Sequence, residues 1–328
     1  MDAMTIPGSV EPYPDLPLER WRDTKDTLHR FSQILGKLRL ASSYPRNHWW
    51  DVPLYVTARG VTTSPMHDGE RIFEIQLDYL AHELQLDSVE GRRVQRSLPG
   101  LSVADFYGEV TAALRWLGID VVIAQPSAFD LGEHEAFATD TGHRSYDPAS
   151  VTTFWRILAT VDSILKEFGW RYTGKTSPVH HFWHTFDIAV SRFSGREAPV
   201  DAAADRVTRE AYSHEVISFG FWFGDESFPE PAFYSYTAPE PEGLRDQPLE
   251  PRGARWIERG RSHLAVLPWA EVRAAPRPRA AALAFLESAW RAGTVATGPE
   301  HWAPARADSV DRRGPPLTAE PADRREVR

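Results

Sequence analysis

Three histidines lie close together near the middle of the chain, and a fourth begins a later strand-like run. His180, His181 and His184 share one short segment, and His214 is followed directly by Glu215. Positions four apart share a face in a helix and also in a strand, so His180 and His184 are expected to point the same way in either element. Imidazole and carboxylate groups bind zinc or iron, or transfer protons near neutral pH. The segment is therefore compatible with a metal site, a polar site without metal, or histidines that hydrogen-bond inside the core.

A lysine occurs in a second candidate motif. Residues 169–176 read Gly-Trp-Arg-Tyr-Thr-Gly-Lys-Thr, which satisfies the phosphate-loop pattern around Lys175. That loop needs a strand before it and a helix after it, so that backbone N–H groups can surround the phosphates. Here the preceding residues have helical periodicity, and Pro178 follows. We predict a helix end at Gly169 and a turn at Gly174, and we do not expect a bound nucleotide.

Basic side chains also stand at the edges of aromatic runs. Lys175, Arg59 and Arg192 are suited to holding a carboxylate or phosphate, and an arginine can do so with two parallel hydrogen bonds. The alternative is that the two arginines form equivalent structural ion pairs. Their acidic partners would then be Asp51, Asp187 or Glu215.

Carboxylates in an aromatic surrounding complete the set of candidates. Burial among aromatic rings raises a carboxyl pKa and suits it to acid or base catalysis. The carboxylates expected in such a setting are Asp187, Glu215 and Glu230. The expected catalytic residues are His180, His214 and Glu215, and the expected ligand-binding residues are Lys175, Arg192, Trp183, Tyr212 and Glu230.

Alternating helix and strand patterns must position these residues. Apolar residues recur at helical spacing from about Glu19 and again after the Asp147-Pro148 pair, a helix cap followed by a first-turn proline. Strand-like runs follow each of these helices. A further helix begins at Ser102, with Asp105 three residues later, and Gly118 is placed to end it. The sequence therefore predicts an α+β fold.

An internal similarity suggests duplication. His48, Trp50 and Arg59 each have an identical residue at a constant offset of 133. We predict two pseudo-symmetric repeats of helix, three to four antiparallel strands and helix, which share one core. The predicted segments are a loose leader at 1–16, repeat 1 at 17–125, a connector at 126–146, repeat 2 at 147–297 and a disordered tail at 298–328.

Composition excludes several functional classes. The chain has no cysteine, which rules out disulfides, thiolate nucleophiles and cysteine-ligated metal clusters. Any cofactor is then expected to be a metal ion bound by histidine and carboxylate rather than a nucleotide. The net charge of −9, without a long basic run, argues against nucleic-acid or membrane partners. No long apolar stretch occurs, so we expect a cytoplasmic protein. Twelve tryptophans fill the core or line a ligand cavity.

Several strings resemble a known family. They are Asn47-His-Trp-Trp-Asp-Val-Pro-Leu-Tyr-Val-Thr-Ala-Arg-Gly60, Ser177-Pro-Val-His180 with Phe182-Trp183, Arg192-Phe-Ser-Gly195 and Tyr212-Ser-His-Glu215. Over residues 16–293 the chain is similar to a bacterial family catalogued as a domain of unknown function. The resemblance implies no activity, cofactor or catalytic residue. Within it, His180 matches a family histidine and His181 and His184 do not, which favours His180, His214 and Glu215.

Two functions follow from these patterns. One is an enzyme that acts on a small anionic or aromatic molecule at a His/Glu site in repeat 2. The other is a non-catalytic protein that binds a small ligand or serves as a scaffold, with the same polar residues joining the repeats. The sequence does not indicate an oligomeric state.

Overall fold

Long helices alternate with two antiparallel sheets in the computed structural model, which describes residues 11–132, 135–199, 203–260 and 262–302. The first half runs α1 (Leu18–Ser42), β1 (Tyr55–Val56), β2 (Gly60–Thr62), β3 (Met66–Asp68), β4 (Arg71–Asp78), β5 (Glu83–Ser88), β6 (Arg93–Ser97) and α2 (Val103–Leu117). The second half runs α3 (Pro148–Trp170), β7 (His180–Phe182), β8 (Asp187–Glu197), α4 (Arg206–Ala211), β9 (His214–Trp222), β10 (Ala232–Ala238), β11 (Arg255–Arg259), β12 (Ser262–Pro268), α5 (Trp269–Ala274) and α6 (Pro278–Thr297). Short 3₁₀ turns lie at Asn47–Trp49, Leu244–Asp246 and Pro299–His301.

Each half contributes one six-stranded sheet to the described structure. The first has the order β1-β2-β4-β5-β6, with β3 paired to β4, and the second has the order β7-β8-β9-β10-β12-β11. All pairings are antiparallel. The predicted α+β class is confirmed. Within the described residues, no helix combines the length and apolar character needed to cross a membrane.

Local signals account for the helix ends. Ser102 and Asp105 form a capping box at the start of α2, in which each side chain accepts a hydrogen bond from the other residue's backbone N–H. Gly118 ends α2 with a left-handed φ of 75°, a conformation that glycine adopts without steric cost. The Asp147 carboxylate accepts from the N–H of Ser150 at the start of α3. These predicted ends are confirmed.

The core lies between the helices and the sheets and continues through both halves. Phe31 on α1 stacks on Phe106 of α2 with ring centroids 4.0 Å apart, and Phe154 on α3 stacks on Phe186 at 5.2 Å. A backbone bridge also joins the two sheets: the N–H groups of Leu54 and His181 each donate to the other's carbonyl at 2.9 Å. Burial of a phenylalanine contributes about 1.5–3 kcal/mol, so these rings are a large part of what stabilises each half.

The described ends of the chain pack onto the second half. Trp269 donates to the carbonyl of Pro14 at 2.8 Å, and the ring of Tyr13 lies 5.5 Å from that indole. At the other end, Trp302 is buried against Trp290. Residues 1–10 of the expected leader and 303–328 of the expected tail lie outside the described residues.

Residues related by the offset of 133 differ in local structure. His48 lies in a 3₁₀ turn with a φ of 55°, whereas His181 lies in β7. Arg59 precedes β2 and forms an ion pair with Asp78, whereas Arg192 lies within β8. The similarity in sequence therefore does not extend to these side chains' surroundings.

Candidate functional site

The second sheet has two chemically different faces. One face packs on α3 and α6, for example where Val190 meets Gly169 and Ile217 meets Gly293. Directly paired residues of antiparallel strands point to the same side, so the register places His180 on the opposite face, in one row with Ala189, Gly220 and Tyr234. We call this the outer face. It carries further polar and aromatic side chains, which are Asp187, Ser191, Phe193, His214, Ser218, Trp222 and Tyr236.

At one edge of the outer face, three groups form a hydrogen-bonded series. The His48 Nδ1 lies 3.1 Å from the carbonyl oxygen of Glu210, and the Lys175 Nζ lies 2.6 Å from His48 Nε2. A carbonyl only accepts, so Nδ1 carries the proton and Nε2 accepts from Lys175. Burial, reinforced by the Lys175 charge, lowers the pKa of His48, and burial lowers the pKa of the Lys175 ammonium. His48 is therefore a neutral, oriented imidazole with its lone pair directed at the lysine.

Aromatic rings rather than acids surround the lysine. Its Nζ lies 5.0 Å from the ring centroid of Phe193 and 5.7 Å from that of Trp50, within the range of cation–π attraction. Among the described residues no carboxylate forms an ion pair with this Nζ. The His214 ring lies 5.4 Å from the His48 ring, edge to face. In the described part of the chain, Lys175 is therefore an exposed cation without an acidic partner.

His180 lies deeper on the same face and is 1% exposed. Burial, with a smaller effect of the Arg39 charge, lowers its pKa to about 3, so it is neutral at pH 7. Its Nε2 lies 3.5 Å from the Tyr55 hydroxyl, and its ring centroid lies 6.2 Å from that of Trp50. Trp50 thus connects His180 to the Lys175 edge.

Asp187 is a buried acid on the outer face that hydroxyl groups hold in place. The Tyr234 hydroxyl donates to Oδ2 at 2.5 Å, and the Thr185 hydroxyl donates to Oδ1. Tyr234 reaches Asp187 by crossing β9 at Gly220, where a Cβ would lie 2.5 Å from the tyrosine Cζ. Burial, and then the Asp187 charge, raise the pKa of Tyr234 well above its usual range. Tyr234 therefore stays protonated as a donor.

Arg39, near the end of α1, was not predicted from the sequence as a site residue, and neither were His48, Trp50 and Tyr55. Arg39 is 6% exposed, and its Cζ lies 5.3 Å from the Tyr55 ring centroid. Within the described residues, its Nε and Nη1 have no hydrogen-bond partner. Burial and, to a smaller extent, the Arg46 charge lower the pKa of the guanidinium. Tyr55, which also hydrogen-bonds to it, and Asp51 offset part of that effect. The sequence does carry a sign that Arg39 is buried: it is four residues after Leu35, on the apolar face of the helix.

Glu215 does not lie with His180 and His214, contrary to expectation. It accepts from the Ser194 hydroxyl at 2.8 Å, and its carboxylate lies 3.1 Å from the His301 Nδ1. Neighbouring residues of a strand point to opposite faces, so His214 and Glu215 diverge within β9. The structure thus places His180 and His214 on the outer face, where Trp50 and His48 lie between them and Lys175, and places Glu215 elsewhere.

Arg192 lies on the helix-facing side of the sheet and does not reach the outer face. It is 2% exposed, donates to the carbonyl of Phe168 at 2.6 Å and lies 3.6 Å from that ring's centroid. Burial lowers its pKa to about 10. The alternative in which Arg192 forms a structural ion pair with Asp51, Asp187 or Glu215 is not observed, because its described partners are a carbonyl and aromatic rings. For Arg59, the partner is Asp78.

The remaining expected ligand-binding residues are dispersed. Trp183 is buried and donates to the carbonyl of Val52 at 3.1 Å. Tyr212 lies at the edge of the outer face, where its hydroxyl is 3.0 Å from that of Tyr236. Glu230 is exposed in the loop between β9 and β10. Of these three side chains, only Tyr212 lies near the outer face.

The three neighbouring histidines, His180, His181 and His184, do not form one cluster in the structure. His181 follows His180 in β7, points into the core and donates from Nδ1 to the carbonyl of Asp187 at 3.1 Å. His184 lies in the turn after β7, so the expectation that it shares a face with His180 is wrong. Within the described ranges, no group of three or more His, Asp or Glu side chains is arranged to hold a metal ion.

The lysine motif has the surroundings expected of an ordinary turn. α3 precedes it and ends at Trp170, and the strand β7 follows it. A Cβ at Gly174 would lie 2.4 Å from the Tyr172 hydroxyl, so this glycine is needed for packing. The prediction that a helix precedes the motif is confirmed.

Open depressions on the surface lie away from these residues. One of about 430 Å³ is bordered by β6 and α2, and one of about 390 Å³ by α6 and Arg171. Neither is lined by a residue of the outer face. The outer face is therefore the stronger candidate on chemical grounds, since its donors and rings converge.

Comparison with known proteins gives one match. A model described as a family of unknown function, DUF5996, matches residues 13–306. No curated protein matches, and no solved structure matches.

Proposed function

Because the chain belongs to the DUF5996 family, whose function is unknown, its function has to be inferred from its own side chains. We propose that it binds a small anionic molecule with a planar group at the outer face of the second sheet. The observation that carries this proposal is Lys175, an exposed ammonium next to aromatic rings and a neutral histidine, with no acidic partner among the described residues.

Charge and shape both suit the surroundings of Lys175 to such a ligand. A carboxylate or phosphate oxygen would form a charge-assisted hydrogen bond with Lys175, worth about 1.5–3 kcal/mol. Trp50 is half-buried, and its ring borders the lysine, so a planar group attached to the anion would stack on it. Small-molecule sites commonly combine an apolar wall with a few polar groups in this way.

One further observation favours an enzyme over a passive receptor. The Glu210 carbonyl fixes the tautomer of His48, whose Nε2 lone pair then faces Lys175. A base held by a third group and paired with a polar side chain is typical of acid–base sites. His48 would exchange a proton with the bound molecule through Lys175. Of the expected catalytic residues, His180 and His214 would line this site.

Calorimetric titration of the full chain tests binding. Benzoate and phenyl phosphate should bind roughly tenfold or more tightly than neutral benzamide, since only the anions form the charge-assisted bond. Lys175→Gln should remove that difference. Lys166→Gln, at an exposed lysine on α3, is the matched control and should preserve it. Equal affinity for the three compounds, or unchanged affinities in Lys175→Gln, would contradict the proposal.

The alternative is a scaffold in which the same polar groups join the two halves. His48 bonded to Glu210 and Trp183 bonded to Val52 are the contacts that favour it. A scaffold role predicts that His48→Ala lowers the free energy of unfolding by roughly 1–3 kcal/mol. It also predicts that benzoate stabilises neither the wild type nor the His48→Ala variant. A ligand site predicts that benzoate raises the Tm of the wild type and not of Lys175→Gln.

We also propose that the two halves are pseudo-symmetric copies and that the protein is cytoplasmic. The strand order supports the proposal of two copies. In the first sheet the neighbouring strands are β2-β4-β5-β6, and in the second sheet the matching neighbours are β8-β9-β10-β12. Each run lies between a long helix and a closing helix, α1 and α2 in one half, α3 and α6 in the other.

A further inference from the structure

A second cation, Arg39, lies beyond His180 and Tyr55 as seen from Lys175. We infer that the ligand of the outer-face site carries two anionic groups joined by a planar spacer, one group for Lys175 and one for Arg39. This inference rests on the proposed function and specifies the class of ligand. It follows from the position of Arg39 and from the unmet hydrogen-bonding capacity of its guanidinium.

A continuous row of rings connects the two cations. From Lys175 the ring of Trp50 is 5.7 Å away, and His180 follows at 6.2 Å. From His180 the ring of Tyr55 is 5.5 Å away, and the Arg39 Cζ lies 5.3 Å from Tyr55. Trp50 and Tyr55 are both half-buried. A flat molecule along this row would contact the half-buried rings of Trp50 and Tyr55, since His180 is buried, and would meet a cation at each end.

Arg39 has fewer hydrogen-bond partners than a buried guanidinium requires, although Tyr55 hydrogen-bonds to it. Its Nε and Nη1 are buried without a hydrogen-bond partner in the described structure, a state that is costly for a charged group. The carbonyl end of α1 stabilises the charge in part, as does Tyr55 through its ring face and a side-chain hydrogen bond. Neither supplies the two missing acceptors. A carboxylate or phosphate oxygen would supply them.

Other buried polar groups close to Arg39 in the sequence also lack a hydrogen-bond partner in the described structure. Of the buried polar side-chain atoms without a partner in the described residues, five belong to residues 39–49. Besides the two nitrogens of Arg39 they are Ser42 Oγ, Ser43 Oγ and Trp49 Nε1. The acid whose charge acts on Arg39 is Asp51, which accepts from the backbone N–H of Arg46 at 3.0 Å and, in the described structure, forms no ion pair with Arg39. This segment therefore holds several buried polar groups whose hydrogen-bonding capacity is unmet.

Matched pairs of dianions and monoanions test the inference. The probes are terephthalate and biphenyl-4,4′-dicarboxylate, each compared with its own monomethyl ester by calorimetry on the full chain. At least one dianion should bind about tenfold or more tightly than its ester. Arg39→Gln and Lys175→Gln should each abolish that gain. Arg22→Gln removes the same charge from an exposed position on α1 and should preserve it.

The outcomes separate this inference from the proposed function. If neither dianion exceeds its ester while benzoate binding still depends on Lys175, the inference is overturned and the proposed function stands. A gain that persists in Arg39→Gln also overturns it. Thermal denaturation reports whether Arg39→Gln folds. If it does not, Lys175→Gln, at an exposed side chain, supplies the decisive comparison, and a gain that persists there overturns the inference.

Discussion

Among single residues, burial decides the protonation state of several histidines. Desolvation lowers the pKa of His29 to about 3, of His180 to about 3 and of His181 to about 4, against a reference value of about 6.5. Each is held neutral in the folded protein. At any pH between these folded-state pKa values and the reference pKa of about 6.5, the unfolded chain therefore binds more protons than the folded chain.

This difference predicts an acid-sensitive fold. The stabilisation from each neutral histidine is complete above about pH 6.5 and is lost as the pH falls toward the folded pKa. Each histidine should contribute a slope of up to about 1.4 kcal/mol per pH unit in that window. We expect His180→Phe to reduce the slope of unfolding free energy against pH between 6 and 4, measured by urea denaturation. An unchanged slope would show that His180 does not titrate on unfolding.

For helices, the environment outweighs intrinsic propensity. Gly36 lies within α1, where a Cβ would lie 2.1 Å from the indole ring of Trp183. Gly108 lies within α2, where a Cβ would meet no described atom within 4 Å. Alanine is the better helix former at both positions, so propensity alone predicts the same gain of about 0.5–1 kcal/mol.

The two glycines should therefore respond in opposite directions. Gly108→Ala should raise the free energy of unfolding, because only propensity changes. Gly36→Ala should lower it by about 1–3 kcal/mol, because α1 cannot move from Trp183 without breaking the indole's bond to Val52. Thermal or denaturant unfolding of both variants provides the measurement. A gain in Gly36→Ala would mean that α1 and Trp183 are not closely packed.

Across the whole molecule, contacts between the halves are extensive. The Leu54–His181 bridge joins the sheets, and His29 on α1 lies 3.0 Å from the carbonyl of Trp183. One apolar cluster includes Phe31 and Leu77 from the first half and Phe154 from the second. Neither half would keep these surfaces covered alone.

We therefore predict one cooperative unit despite its two sheets. A proteolytic cut within 126–146 should leave both fragments associated in gel filtration, and the nicked protein should unfold in a single transition. The uncut chain is the control. Two fragments that separate and remain folded would contradict the prediction of a single body.

The sequence by itself determined what depends on near neighbours. The ends of α2 and α3 follow from Ser102, Gly118 and Asp147, whose hydrogen bonds lie within a few residues. Apolar periodicity determined the α+β class, because it reports which face of each element is buried. Lys175, His180 and His214 were found by residue type alone.

Only the tertiary structure decided which side chains meet. Tyr55 and His180 are 125 residues apart in sequence, and His48 and Lys175 are 127 apart, so local patterns carry no information about either contact. Strand position directed His214 and Glu215 to opposite faces, because adjacent strand residues alternate. Arg39 lies on the apolar side of α1, and only the fold places Tyr55 next to its guanidinium. Long-range packing, rather than residue type, therefore determined the composition of the site.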